Sequence, residues 1–188
     1  QDDYKIYTGN VYHGILPVNT KATLSRVNGQ YSLKAGDISI KSPEYIRLVP
    51  KKNEHAVFSL LNYDRKVSWK GPRNFNTYRG AMEYRLTQDN KTMYAINDLL
   101  FEDYVAGIAE NTDASPSEYL KSQAVAQRTY AYYITTFSNK HEKRHFDVVA
   151  HTGDQLYLGY ESEQIMPRFV TAAKATRGYM ATYDVDDN

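Results

Sequence analysis

The chain has 188 residues, enough for one fair-sized domain or two small ones, since domains run about 50–200 residues. Its 23 Lys+Arg nearly cancel 22 Asp+Glu, leaving a formal charge of +1, so it lacks the positive field of nucleic-acid proteins and no nucleic-acid partner is expected. It contains no cysteine, which excludes disulfides and thiolate chemistry and suits an extracytoplasmic protein.

No apolar run approaches the ~18 residues of a membrane span. The chain opens on the polar Gln1-Asp2-Asp3, so any signal or anchor is expected to have been removed. Tyrosine is abundant, 18 copies against 6 phenylalanines. It suits half-buried strands, and it also suits sugar-binding clefts, where the ring packs on a pyranose and the hydroxyl hydrogen-bonds.

Taken in chain order, residues 4–8, 22–27, 30–33, 46–49, 56–60, 80–86 and 93–96 carry the alternation of strands, with Asn28-Gly29 and Asp89-Asn90 as hairpin turns. Near Asn97 the period changes from two to about 3.6, and Leu100, Tyr104, Val105 and Ile108 share one face, which predicts a helix over 99–109. Ser115-Pro116-Ser117-Glu118 has the form of a capping box with proline at the first helical position, opening a helix that runs to about Phe137. Leu120, Ala124, Ala131, Ile134 and Phe137 form its apolar stripe. A polar connector over 138–145 follows, then a strand-like 155–158, a helix from Pro167 to Gly178 and a strand over 180–183. The expected fold class is α+β, a β-rich N-terminal part followed by helices with a few strands.

Among candidate chemistries, His141-Glu142-Lys143-Arg144-His145 is a literal H-E-x-x-H, which on a helix would aim two imidazoles at zinc. Its flanks are polar and basic, and no third ligand stands at a usual spacing, so no metal is expected. Glu110 has better credentials as a catalytic acid. At the end of the 99–109 helix it would face the negative pole of the macrodipole, which, with burial, would keep the carboxyl protonated. A protonated carboxyl near neutral pH is what cleavage of a glycosidic bond requires. Arg128 lies among Ala124, Val125, Ala126, Tyr130 and Ala131, so a buried guanidinium there needs a carboxylate or several carbonyls as partners.

Three segments together, "YVAGIAENTDASPSEYLKSQAVAQRTYAYY", "FDVVAHTGDQLYLGY" and "AAKATRGYMATY", resemble the SpoIID/LytB family, named for stage II sporulation protein D and an amidase enhancer. The family pattern is a helix ending in a glutamate, a turn, K-x-Q-A-V/A-A-x-R-T-Y, then D-V-x-D-T-T-x-x-Q-x-Y and A-x-x-x-T-x-G. The likeness extends upstream through "YRGAMEYRL" and covers about 75–183, which implies a β-rich N-terminal module at 1–74 and a helical catalytic domain with a few strands at 75–188. It implies a peptidoglycan lytic transglycosylase that cleaves between N-acetylmuramic acid and N-acetylglucosamine and leaves a 1,6-anhydro end, often on peptide-stripped strands.

Carried over by position, the resemblance makes Glu110 the catalytic acid. Lys121, Gln123, Arg128, Thr129 and Tyr130 match the helix motif, and Asp147, Thr152, Gln155 and Tyr157 match the later one. Arg128, Gln155, Tyr157, Tyr130 and His151 are expected to bind substrate. The chain departs from the pattern at Asn111-Thr112 and at Ala150-His151, where His151 is expected to replace a lost aspartate as a hydrogen-bonding partner. Some relatives hold a metal through cysteine and histidine; without cysteine, no metal or other cofactor is expected here. The family usually continues past "TRG" into a glycine-rich segment, so the catalytic domain is expected to be truncated at its C-terminal end. The implied partners are glycan strands and a cell-wall amidase, and the implied location is extracytoplasmic. A non-catalytic wall-binding or amidase-enhancing protein of the same fold remains the alternative.

Overall fold

A computed structural model describes residues 1–89 and 91–183. It is α+β, with antiparallel sheets and separate helices, in agreement with the sequence. The chain folds into two units, each assembled from several segments.

The first unit takes Gln1–Ser59, Thr77–Leu100 and Lys143–His145. Its strands are β1 (Tyr4–Thr8), β2 (Val11–Leu16), β3 (Thr23–Val27), β4 (Gln30–Ala35), β5 (Ile38–Ser42), β6 (Ile46–Pro50), β7 (Val57–Ser59), β8 (Thr77–Arg79), β9 (Ala81–Leu86) and β10 (Met93–Asp98). They pair antiparallel as a five-stranded sheet in the order β10-β9-β6-β1-β2, a β3-β4-β5 meander and a β7-β8 ribbon. Alternation sends Tyr4 and Ile6 of β1, Tyr31 and Leu33 of β4, and Ile46 and Leu48 of β6 into one apolar core. Two core tyrosines satisfy their hydroxyls on the backbone: Tyr4 donates to the Gly80 carbonyl at 3.1 Å, and Tyr31 accepts the Leu86 N–H at 3.0 Å.

The Asn28-Gly29 turn forms as expected. Both residues take positive φ, 50° and 79°, the conformation of a type I′ hairpin and the reason for this residue pair. In the other turn, Asp89 accepts the Lys91 N–H at 3.2 Å, whereas Asn90 lies outside the described residues. β2, β5 and β8 go beyond the strands expected from sequence. β2 is an edge strand whose Val11, Tyr12 and His13 are exposed, so it lacks the apolar alternation that marks a strand in sequence.

The second unit takes Leu60–Asn76, Phe101–Glu142 and Phe146–Asn188. Its helices are α1 (Phe101–Ala106), α2 (Ser117–Phe137), α3 (Tyr160–Ile165) and α4 (Pro167–Ala175), with a 3-10 turn at Ser68–Lys70. Val105 of α1, Leu120 and Ala124 of α2, Phe169 and Ala173 of α4, and Leu158 share its core with Val67 and Phe75. The alanines let helix backbones approach closely.

Several expectations need correction. α1 ends at Ala106 rather than at 109, because 107–109 turns away to pair with 156–158: Ala109 N–H donates to the Leu156 carbonyl at 2.8 Å and Leu158 N–H to the Gly107 carbonyl at 2.9 Å, around an Ile108–Tyr157 bridge. Residues 155–158 thus form this one bridge and no longer strand. The capping box at Ser115 does not form. Pro116 occupies the N-cap position with no side-chain cap bond, and Glu118 pairs instead with Lys121 at 2.8 Å. Phe137 ends the apolar stripe exposed. The last helix ends at Ala175, and α3 before it is a helix that the sequence pattern does not announce. Residues 180–183 form no strand; Ala181 N–H donates to Thr129 Oγ1 at 2.9 Å, a side-chain partner in place of a neighbouring strand.

Candidate active site

Glu110 follows directly on the Ile108–Tyr157 bridge, and that bridge seats it. One carboxylate oxygen accepts the Leu156 N–H at 3.1 Å, and the other accepts Gln127 Nε2 at 3.3 Å. The side chain is exposed and stands past the end of α1, which closes at Ala106, so it is neither the buried nor the helix-terminal glutamate expected from sequence. The bridge needs Gly107: a Cβ there would lie 2.5 Å from the Tyr157 ring.

Behind the carboxylate runs a chain of buried polar groups. The Tyr104 hydroxyl donates to Gln155 Oε1 at 3.1 Å, Gln155 Nε2 donates to the Gln127 carbonyl at 3.1 Å, and the Gln127 side chain reaches Glu110. Tyr104 also stacks on Tyr157, ring centroids 5.0 Å apart. Burial pushes the Tyr104 phenol well above its usual range, with the negative charges of Asp154 and Glu110 adding to the shift, so it stays a neutral donor. Gln155 and Tyr157 are therefore buried supports, positioned beneath Glu110 rather than exposed to a ligand.

Beside Glu110 lies a pocket of about 520 Å³, whose lining includes Trp69, Lys70, Glu110, Asn111, Asp113 and Met166. Lys70 Nζ donates to the Asn111 carbonyl and lies 3.4 Å from Met166 Sδ. Burial lowers its pKa, and the Asp113 carboxylate opposes that shift. Two buried atoms in this region have no hydrogen-bond partner, Asn111 Nδ2 and Gln127 Oε1.

Arg128 is placed elsewhere. It is fully buried and grips Glu102 through Nε and Nη2, both at 2.9 Å. Nη2 also donates to the Ala173 carbonyl at 3.0 Å, while Nη1 is shared among Ala124, Thr176 and Tyr179 at 3.3–3.4 Å. Every guanidinium nitrogen is thus engaged by protein, and none is left to hold a sugar. Arg128 ties α1, α2 and α4 together. Its partner Glu102 was not singled out in the sequence.

His151 is exposed and its Nδ1 accepts the Gly153 N–H at 3.0 Å, a contact within its own turn, and it is not among the residues lining the pocket. Tyr130 is partly exposed on α2 and pairs with Lys140. The nearby carboxylate that is fully enclosed is Asp154, which accepts His141 Nε2 at 2.6 Å, the Val149 N–H at 2.7 Å and Lys140 Nζ. Burial alone would raise its pKa, but Lys140, the Val149 N–H and His141 outweigh it and hold the carboxyl at about 2. The H-E-x-x-H run forms turns rather than a helix, so its histidines do not stack on one face. Among the described residues no three His, Cys, Asp or Glu side chains gather to hold a metal ion.

The family described as Stage II sporulation protein, SpoIID, matches residues 89–183, and the chain belongs to it. That family is one of cell-wall-related sporulation proteins and is associated with lytic activity on peptidoglycan. Over 75 residues the chain is 47% identical to an uncharacterized protein of Brachyspira hyodysenteriae (strain ATCC 49526 / WA1), a match covering 38% of this chain and 20% of that protein. The chain thus spans about a fifth of that relative's length. No solved structure matches it.

Proposed function

We propose that the chain is a peptidoglycan lytic transglycosylase, cleaving the linkage between N-acetylmuramic acid and N-acetylglucosamine outside the cytoplasm, with its chemistry carried by residues 75–188. The observation that carries this reading is Glu110, a carboxylate seated by Leu156 N–H and Gln127 at the wall of an open pocket, in a chain of a family associated with peptidoglycan lysis.

Glu110 donates its proton to the glycosidic oxygen as the C1–O bond breaks. The resulting carboxylate then takes the proton of the muramic acid 6-hydroxyl as O6 bonds to C1, which closes the 1,6-anhydro ring and regenerates the acid. No water is consumed. One carboxylate suffices because the nucleophile is held on the same sugar, whereas hydrolases position a second carboxylate to bring in water or to attack. Peptide-stripped strands are the proposed substrate, and a cell-wall amidase, which exposes them, the proposed partner.

Purified peptidoglycan digested with wild type and with Glu110→Gln, read by mass spectrometry, tests this. Anhydro-ended fragments are expected from wild type only. Equal yields from both proteins refute the assignment of Glu110, and wild-type binding to glycan without any change in its mass points to the non-catalytic alternative.

A further inference from the structure

The pocket beside Glu110 has a wall that comes from outside the family-matched residues. Trp69 and Lys70 sit on the 3-10 turn Ser68–Lys70, which is pinned from both sides: Val67 and Phe75 are buried in the core of the second unit, Lys70 N–H bonds the Val67 carbonyl at 2.8 Å, and Phe75 N–H bonds the Arg65 carbonyl at 2.9 Å. A turn fixed this firmly nevertheless presents the indole of Trp69 at 69% exposure. Burying that ring on a partner is favourable, and an aromatic face with a polar rim is the usual wall of a sugar site.

The floor has a matching chemistry. Lys70 Nζ has three N–H donors and spends one on the Asn111 carbonyl and a second on Met166 Sδ at 3.4 Å, which leaves one. Asn111 belongs to the lining of the same pocket and is only 7% exposed; its Nδ2 is enclosed and has no hydrogen-bond partner. An amide nitrogen buried without a partner is destabilising, and a ligand oxygen that reached it would satisfy it. The remaining Lys70 N–H and the unpartnered Asn111 Nδ2 thus belong to residues that line one pocket with Trp69 and Glu110.

We propose that Trp69, Lys70 and Asn111 form a sugar subsite next to Glu110. The indole stacks on one face of a pyranose, and Lys70 Nζ with Asn111 Nδ2 binds an oxygen acceptor on that sugar's substituent. The acceptor is an acetamido carbonyl or the lactyl carboxylate of a peptide-free muramic acid. The subsite rests on the reading of glycan as the ligand, but not on turnover.

Trp69 is the single tryptophan of the chain, so its fluorescence reports the subsite directly. The Glu110→Gln protein is titrated with chitotetraose, which offers acetamido groups only, and with peptide-free glycan fragments, which add the lactyl carboxylate. A saturable change in emission is expected. By calorimetry, Trp69→Ala is expected to weaken binding about tenfold, the equivalent of ~1.4 kcal/mol of stacking. Lys70→Met weakens both ligands equally if the carbonyl is bound, and the glycan fragments selectively if the carboxylate is.

Unchanged emission with both ligands, together with unaltered affinity in Trp69→Ala, overturns the subsite. Unaltered affinity in Lys70→Met alone overturns its polar half. The two readings fail separately: emission that responds in a protein whose wild type forms no anhydro products refutes lysis and leaves the subsite standing, whereas wild-type lysis with silent emission does the reverse.

Discussion

Two charged groups beside α2 could hardly be treated more differently. Arg128 is sealed from water with all its nitrogens engaged, held by both oxygens of Glu102 and by carbonyls of α2, α4 and the turn after α4. Glu110 is exposed, held by two donors, and stands at a pocket lined in part by Asn111, whose buried Nδ2 has no hydrogen-bond partner. A buried polar group whose bonds are complete holds a fold together, whereas one left incomplete is a place where a ligand is awaited. By that criterion, two residues that look equally suggestive in the sequence divide into a tie-rod and a tool.

The contrast can be broken by experiment. Glu110→Gln should lower turnover by about 10²–10⁴-fold, as loss of a general acid does, while leaving the unfolding midpoint in denaturant unchanged. A large drop in stability would put Glu110 on the structural side. Arg128→Met should do the converse, costing about 3–5 kcal/mol because Glu102 and the carbonyls lose their donor. A cost below about 1 kcal/mol in denaturant unfolding would remove it from the framework.

Asp154 sharpens the comparison through pH. Its folded pKa, about 2, lies below the ordinary value of 3.8, so the ionised form stabilises the fold above pH ~4 and that contribution disappears as the pH falls through 2. Asp154→Asn should therefore lose on the order of 2 kcal/mol at pH 7 and converge with wild type near pH 2. Unfolding curves across that range read it; a deficit that persists at pH 2 would mean lost packing rather than lost charge. The smallest effect is expected at Gln127, whose substitution by leucine should lower kcat about tenfold with KM nearly unchanged, since it orients Glu110 and does not itself line the pocket. An equal rise in KM would make it a binding residue instead.

The sequence made some of this legible and hid the rest for physical reasons. β1, β4 and β6 alternate because one face is buried, and that pattern located them. β2 was hidden by its exposed edge, and α3 because its buried face is Ser162 and Glu163, polar residues that leave no apolar period. In the site, family resemblance pointed to Glu110, but half its seat is the Leu156 N–H, and a backbone group has no residue-type signature. Gln127 did leave a signal: it falls between Ala124 and Ala131 at helical spacing, where an apolar residue would be expected, and a polar residue in an apolar stripe needs a reason to be there. Glu102 was inferable only as an unnamed partner for a buried arginine. Trp69 and Lys70 precede every motif, in a stretch without period, so only the folded chain brings them to the pocket.

The Ile108–Tyr157 bridge carries a consequence for timing. The glutamate and the backbone amide that seats it are far apart along the chain, with the whole of α2 between them. Such distant pairings close late, after local helices have formed. A polypeptide stalled or clipped after α2 would carry the reactive carboxyl and lack its mount. Under the function proposed above, the group that would cut glycan is one of the last parts to be assembled.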